Sequence, residues 1–267
     1  MQSKQFFLFL LCLLVCTLQA ALIWTPTGGN TANMNPMSHG GGYNPVLNEY
    51  WYPSWSGSTV YRYSSNYTYL GTFNTPGHQH LMQIWGDTDG SYYTANWGYH
   101  SVQKISAGTN GMNGSVLWTY NVGTTSAGVT ADQNYVYINA WTSNQIVRLN
   151  KNTGAYIDSL TMSGPYNKYT YGAMAVVDGY LLYGNADGYI SRYSLANNGL
   201  QYIDSYYTGT NIYSLAFDGY RLNVSPNSSY VYQFNVSDVF AYTQVPEPAS
   251  IMLLGMALVW LAAKVKR

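Results

Sequence analysis

A unit of about forty residues recurs along the middle of this 267-residue chain, and no other property of the sequence limits the fold as much. Segments 128–160, 172–206 and 213–243 align with one another. Each opens on a short apolar strand that breaks at a turn built on Asp or Asn: Asp132-Gln133-Asn134, Asp178-Gly179 and Asp218-Gly219. A Tyr-rich strand with two-residue alternation follows. A second turn falls around Ser143-Asn144, Asp187-Gly188 or Pro226-Asn227, and a third strand runs to Arg148, Arg192 or Gln233. A looser Asn/Gly turn then leads to a fourth strand. Segments 83–122 and 45–73 fit the same template more loosely, with Asp89-Gly90 at a first turn and Lys104 and Arg62 at the third-strand mark. The marks at 62, 104, 148, 192 and 233 are 42, 44, 44 and 41 residues apart.

Four strands per unit at this period is the pattern of a propeller blade. A lone four-stranded sheet cannot bury both faces, and its edges invite pairing with other chains. Radial stacking buries each face against a neighbour. The expected fold is all-β: a β-propeller of about five four-stranded blades over 45–243, behind a Gly/Asn-rich segment at 22–44. A β-sandwich or an open array of hairpins also satisfies the strand pattern. Composition agrees with strands and turns. Only 8% of residues are charged, 16% are aromatic, and 29 are Tyr. The formal net charge is zero, so there is no electrostatic basis for binding nucleic acid.

The units resemble the quinoprotein-like (PQQ-like) propeller repeat, whose blades often end in a Thr-Gly turn before the last strand. Asn150-Lys151-Asn152-Thr153-Gly154 and the run from Gly114 to Trp118 carry the resemblance. It is a resemblance of blade type and implies no quinone. The cofactor sites of that family use a larger ring of blades and metal-binding acids that this sequence does not show, so no cofactor is expected.

Residues that could carry chemistry are few. His78 and His80 stand at i and i+2, but a metal site would need further ligands. Asp87-Thr88-Asp89-Gly90 looks like the start of a calcium loop without its late Glu, and reads better as a hairpin turn. Asp132, Asp178 and Asp218 fall at equivalent turns, which is a structural spacing. No catalytic or metal-binding residue is assigned, and the chain is not expected to be an enzyme. Most Trp and Tyr side chains suit the spaces between blades. Trp97 and Trp141 fall at second turns, where exposure would let them stack on a sugar.

The two ends differ from the middle. Residues 1–21 read as a secretory signal peptide, with Lys4, an apolar run from Phe6 to Cys16, and small residues at Ala20 and Ala21. Both cysteines lie in that segment, so the exported chain would carry no disulfide. At the other end Val245, Pro246, Glu247 and Pro248, within 244–248, precede an apolar segment at 249–263. As a helix that segment would be about 22 Å long. It would span a hydrocarbon layer of ~30 Å only with snorkelling lysines. Lys264, Lys266 and Arg267 form a basic stop in a cytoplasmic tail at 264–267.

This three-part end is similar to the PEP-CTERM sorting signal of Gram-negative bacteria. The resemblance implies an exosortase-type processing enzyme as partner, recognising Pro246, Glu247 and Pro248 and removing the helix. It implies an anchored stage in the bacterial inner membrane, then the cell surface or the extracellular space, in organisms that make exopolysaccharide and biofilm matrix. The expected role is a non-enzymatic scaffold or a glycan- or protein-binding module. The rival reading is an extracellular carbohydrate-active enzyme on a propeller scaffold.

Overall fold

The computed structural model describes residues 28–30, 39–77, 80–141, 143–165, 170–209, 211–226 and 230–235, with 28–30 and Asn235 described by their backbone. These residues form a five-bladed β-propeller of four-stranded antiparallel sheets. After β1 (Gly28–Asn30), the first blade holds β2 (Gly42–Asn44), β3 (Glu49–Pro53), β4 (Thr59–Ser64) and β5 (Tyr69–Asn74). The second holds β6 (Leu81–Gly86), β7 (Tyr92–Asn96), β8 (Ser101–Ile105) and β9 (Val116–Asn121). The third holds β10 (Ser126–Ala131), β11 (Tyr135–Ala140), β12 (Gln145–Asn150) and β13 (Tyr156–Thr161). The fourth holds β14 (Met174–Val177), β15 (Tyr180–Gly184), β16 (Tyr189–Ser194) and β17 (Gln201–Tyr207). The fifth holds β18 (Ser214–Phe217), β19 (Arg221–Ser225) and β20 (Val231–Asn235).

The fifth blade takes its outermost strand from the other end of the chain. β1 pairs antiparallel with β20, from Gly28 opposite Gln233 to Asn30 opposite Val231. The repeat pattern placed that strand at the end of the 213–243 unit and left 22–44 outside the propeller. Counting periods cannot reveal a strand supplied from far away in sequence. Among the described residues no helix is long and apolar enough to cross a membrane. The segments 1–21, 244–248, 249–263 and 264–267 lie outside the described residues.

The first strands β2, β6, β10, β14 and β18 contact one another in a closed circuit around the axis. They are almost wholly buried, and their backbones approach closely. A Cβ on Gly42 would stand 2.1 Å from the Ile84 carbonyl oxygen, and one on Gly128 would stand 2.4 Å from Met174 Sδ. Gln83, fully buried on β6, reaches across two further blades. Its Nε2 donates to the Met174 carbonyl at 2.7 Å, and its Oε1 accepts from Val129 N–H at 2.7 Å.

The five third-strand marks fall on the third strand of the five blades, and each is tied to a polar partner. Arg62 bonds Glu49 at 2.5 and 2.8 Å, and Lys104 bonds Asp89 at 3.2 Å. Arg148 forks onto Asp158 at 2.9 and 2.5 Å, and Arg192 onto Asp204 at 3.1 and 2.5 Å. In the fifth blade Gln233 donates to Asn223 at 3.0 Å. Lys104, Arg148 and Arg192 are buried, and each lies over a tyrosine ring: Tyr93, Tyr135 and Tyr180. Pairing and stacking offset the desolvation that a buried cation would otherwise suffer.

The seam between the fifth and first blades is polar. Tyr50 and Tyr67 stack at 4.7 Å. The Tyr67 hydroxyl donates to Asn223 Oδ1 at 2.8 Å, Asn223 Nδ2 donates to the Tyr50 hydroxyl at 2.9 Å, and Tyr50 donates to Asp218 Oδ2 at 2.5 Å.

Two substitutions test this account by urea unfolding. Gln83→Ala strands a buried carbonyl and a buried N–H, and Asn223→Ala removes the acceptor of the Tyr67 hydroxyl and a donor to the Tyr50 hydroxyl, which keeps only Asp218. Each is expected to lower stability by about 1–3 kcal/mol. A loss below about 0.5 kcal/mol for either would mean that the bridge it removes is not holding blades together.

Candidate functional site

The two ends of the axis are chemically different. One end carries the turns between first and second strands. They line a cavity of about 630 Å³ reached by all five blades, with Asp87, Asp132, Asp178 and Asp218 on its rim beside Lys151. The carboxylates were read from sequence as turn formers, and their bonds fit that role. Asp132 Oδ1 accepts from the N–H groups of Asn134 and Tyr135, both at 2.7 Å, and its Oδ2 accepts from Tyr137 at 2.7 Å. Asp218 Oδ1 accepts from Tyr220 and Arg221 N–H, while its Oδ2 takes Tyr50 and Arg221 Nε. Asp87 accepts from Thr88 N–H, Lys151 Nζ and the Tyr93 hydroxyl. Asp178, at φ 48°, precedes Gly179 at φ 80°, the backbone of a tight hairpin turn.

The other end is aromatic. Trp55, Trp97 and Trp141 occupy the second turns of the first three blades. His39, Tyr171 and Tyr213 lie on the segments entering β2, β14 and β18. Their rings form a closed circuit. His39 stacks on Trp55 at 4.7 Å, Trp55 meets Trp97 at 5.7 Å, and Trp97 meets Trp141 edge-on at 4.9 Å. Trp141 meets Tyr171 at 4.7 Å, Tyr171 stacks on Tyr213 at 4.2 Å, and Tyr213 returns to His39 at 5.1 Å. His80 joins from outside, tilted against Trp55 at 5.3 Å, with its Nδ1 2.9 Å from the Trp55 carbonyl oxygen. Backbone bonds hold the positions: Trp97 N–H to His80 O at 3.0 Å, Trp141 N–H to Thr125 O at 2.9 Å, and Gly40 N–H to Tyr213 O at 2.7 Å.

Trp97 and Trp141 are therefore neighbours. Both are half-buried against the main core rather than standing out from their turns. Trp55 was not singled out from sequence, although a signal was there. It lies seven residues before Arg62, as Trp97 lies before Lys104 and Trp141 before Arg148. The fourth and fifth blades have Asn185 and Pro226 at that place, and supply Tyr171 and Tyr213 from a different segment. No register within one repeat links those tyrosines to the tryptophans. Among the described residues no three His, Cys, Asp or Glu side chains stand close enough to hold a metal ion. His78 lies outside the described residues.

Several buried tyrosines resist ionisation. Burial pushes Tyr50, Tyr93 and Tyr137 up, and the carboxylates of Asp218, Asp87 and Asp132 push the same way. Burial raises Tyr52 to about 12. Burial also works to raise Asp89, but hydrogen bonds from Ser91 and the Lys104 charge outweigh it and hold the carboxyl below its ordinary value.

No family model matches the sequence, and no curated protein matches it. Solved structures do match the fold. The glutaminyl cyclase of Myxococcus xanthus superposes with a TM-score of 0.59 at 8% identity, over 78% of this chain and 94% of that one. The virginiamycin B lyase of Staphylococcus aureus superposes with a TM-score of 0.50 at 14% identity, over 76% and 67%. At such identities the likeness is one of fold.

The ionisation pattern predicts an alkaline limit. Neutral tyrosine is favoured in the fold, so stability is full below the ordinary tyrosine value of 10.0 and falls as pH rises through the folded value, about 12 for Tyr52. Asp89 acts in the opposite sense: its contribution is present above 3.8 and is lost as pH falls through its lowered folded value. Urea unfolding at stepped pH, read beside phenolate absorbance, checks both limbs. Stability unchanged above pH 10 would contradict the burial of these hydroxyls.

Proposed function

We propose that this protein is an exported cell-surface or matrix component, sorted by an exosortase-type enzyme through its PEP-CTERM-like end. Its propeller serves as a non-enzymatic module that binds glycan at the aromatic mouth. The binding half of this reading is carried by one observation: six rings from all five blades form a closed, half-buried circuit at one end of the axis. Aromatic faces pack against the C–H faces of pyranose rings. Rings already held by neighbours and backbone bonds lose little freedom when a ligand arrives. The sorting half rests on the residues at 245–267.

The opposite mouth is the weaker candidate. Three of its four rim aspartates already use their oxygens on turn N–H groups and tyrosine hydroxyls. A carbohydrate-active enzyme would need a pair of carboxylates kept for its substrate.

Two measurements test the two halves. The intact mass of the protein recovered from outside its host should correspond to a C-terminus near Val245–Pro248; a mass extending through Arg267 overturns processing. Calorimetric titration with the host's matrix polysaccharide should show Trp97→Ala and Trp141→Ala each weakening binding by about tenfold or more, equivalent to about 1.4 kcal/mol. Unaltered affinity in variants that melt like the parent overturns the aromatic site.

A further inference from the structure

His80 stands beside the aromatic mouth with φ at 60°, in the left-handed region that residues other than glycine enter at a cost. Two bonds hold it there. Its carbonyl oxygen accepts from Trp97 N–H at 3.0 Å, and its ring nitrogen Nδ1 lies 2.9 Å from the Trp55 carbonyl oxygen. The ring rests tilted on Trp55, with centroids 5.3 Å apart. A carbonyl oxygen only accepts, so Nδ1 carries a hydrogen and donates it. In the neutral ring Nε2 is then the bare, basic nitrogen. Among the described residues nothing bonds Nε2, and it is not an enclosed atom. The backbone and one nitrogen of His80 thus place the ring, and the other nitrogen is left for a ligand.

The charge around that nitrogen points to the kind of ligand. All six Lys and Arg side chains among the described residues are engaged in ion pairs. Imidazoles are therefore the groups that can bring positive charge to this end. The titratable side chains on the elements packed against His80 are His39, which also stacks on Trp55, and Tyr99 and His100 on the second turn that holds Trp97. Tyr171 and Tyr213 stand beside His39. The acid at this end is Asp187, exposed on the second turn of the fourth blade. The opposite mouth has four aspartates on its rim and repels an anion.

We propose that His80 is a specificity-determining residue of the aromatic mouth and that its ligand is an acidic glycan, a pyranose bearing a carboxylate. This rests on the reading of that mouth as a glycan site. The sugar face packs on the rings, and protonated Nε2 donates a charge-assisted hydrogen bond to the carboxylate. Imidazoles change charge between pH 5 and 8, while a sugar carboxylate stays ionised throughout. Binding therefore strengthens as pH falls across that range.

Calorimetric titration of the full chain in detergent tests this, using the host's matrix polysaccharide before and after chemical reduction of its carboxyl groups to alcohols. The parent should bind the native polymer at least about tenfold tighter at pH 5 than at pH 8, with no such gain for the reduced polymer. His80→Asn keeps an amide that can donate to the Trp55 carbonyl and suits the left-handed backbone, but has no titrating nitrogen. Its gain should fall below about threefold, with melting like the parent's. The reduced polymer makes the same comparison on the parent, so a misfolded variant does not leave the question open. A native polymer that binds no tighter at the lower pH, an equal gain with the reduced polymer, or a gain above about threefold in a folded His80→Asn overturns the proposal. Binding that depends on Trp97 but not on pH overturns this assignment alone. Affinity unaltered in Trp97→Ala overturns the glycan site, and the role of His80 with it.

Discussion

The ring depends on one junction, where the fifth blade meets the first. No cysteine lies among the described residues, so no disulfide there locks the circuit. Non-covalent contacts between β18–β20 and the first blade must therefore close it. Beside apolar packing of Ala216 and Val231 with Tyr50, Tyr52 and Tyr63, the contact carries a chain of hydroxyl, amide and carboxylate groups: Tyr67 to Asn223, Asn223 to Tyr50, Tyr50 to Asp218. Buried polar groups have to find particular partners or bear the full desolvation loss. Such a seam therefore specifies alignment in a way that interchangeable aliphatic contacts do not. β1 adds the complementary restraint by completing the last sheet from the opposite end of the chain.

Charge is handled in the same manner throughout. The chain has 11 basic residues, and those among the described residues all face a carboxylate. The third-strand cations pin a bulge in four blades, and the bulge re-aims the start of each outer strand. The outer strands β5, β9, β13 and β17 hold no Lys or Arg, and their two acids, Asp158 and Asp204, are both partners in these pairs.

The repeat also sorts chemistry between the two mouths. First turns need residues that cap a tight hairpin, and Asp does this through its side-chain oxygens. Second turns lie at the opposite end of the same strands, and there three blades place Trp. Carboxylates therefore collect at one mouth and aromatic rings at the other. Ring stacking and hairpin formation do not compete for the same residues.

The sequence by itself determined the all-β class, the blade period, the turn acids and the third-strand marks. Each of these is local: alternation, turn chemistry and spacing within one unit express it, and all of them survive folding. Trp97 and Trp141 were legible for the same reason. Only the tertiary structure decided that they touch, and that His39, Trp55, Tyr171 and Tyr213 complete their ring. Trp55 shares the register of Trp97 and Trp141, but His39, Tyr171 and Tyr213 come from the segments that enter first strands, and no period relates them to the tryptophans. Tertiary structure alone also revealed β1 in the fifth blade, because pairing across some two hundred residues leaves no local trace. It likewise determined that Gln83 spans three blades, since a buried glutamine in a strand declares neither its direction nor its partners until the neighbouring backbones are in place.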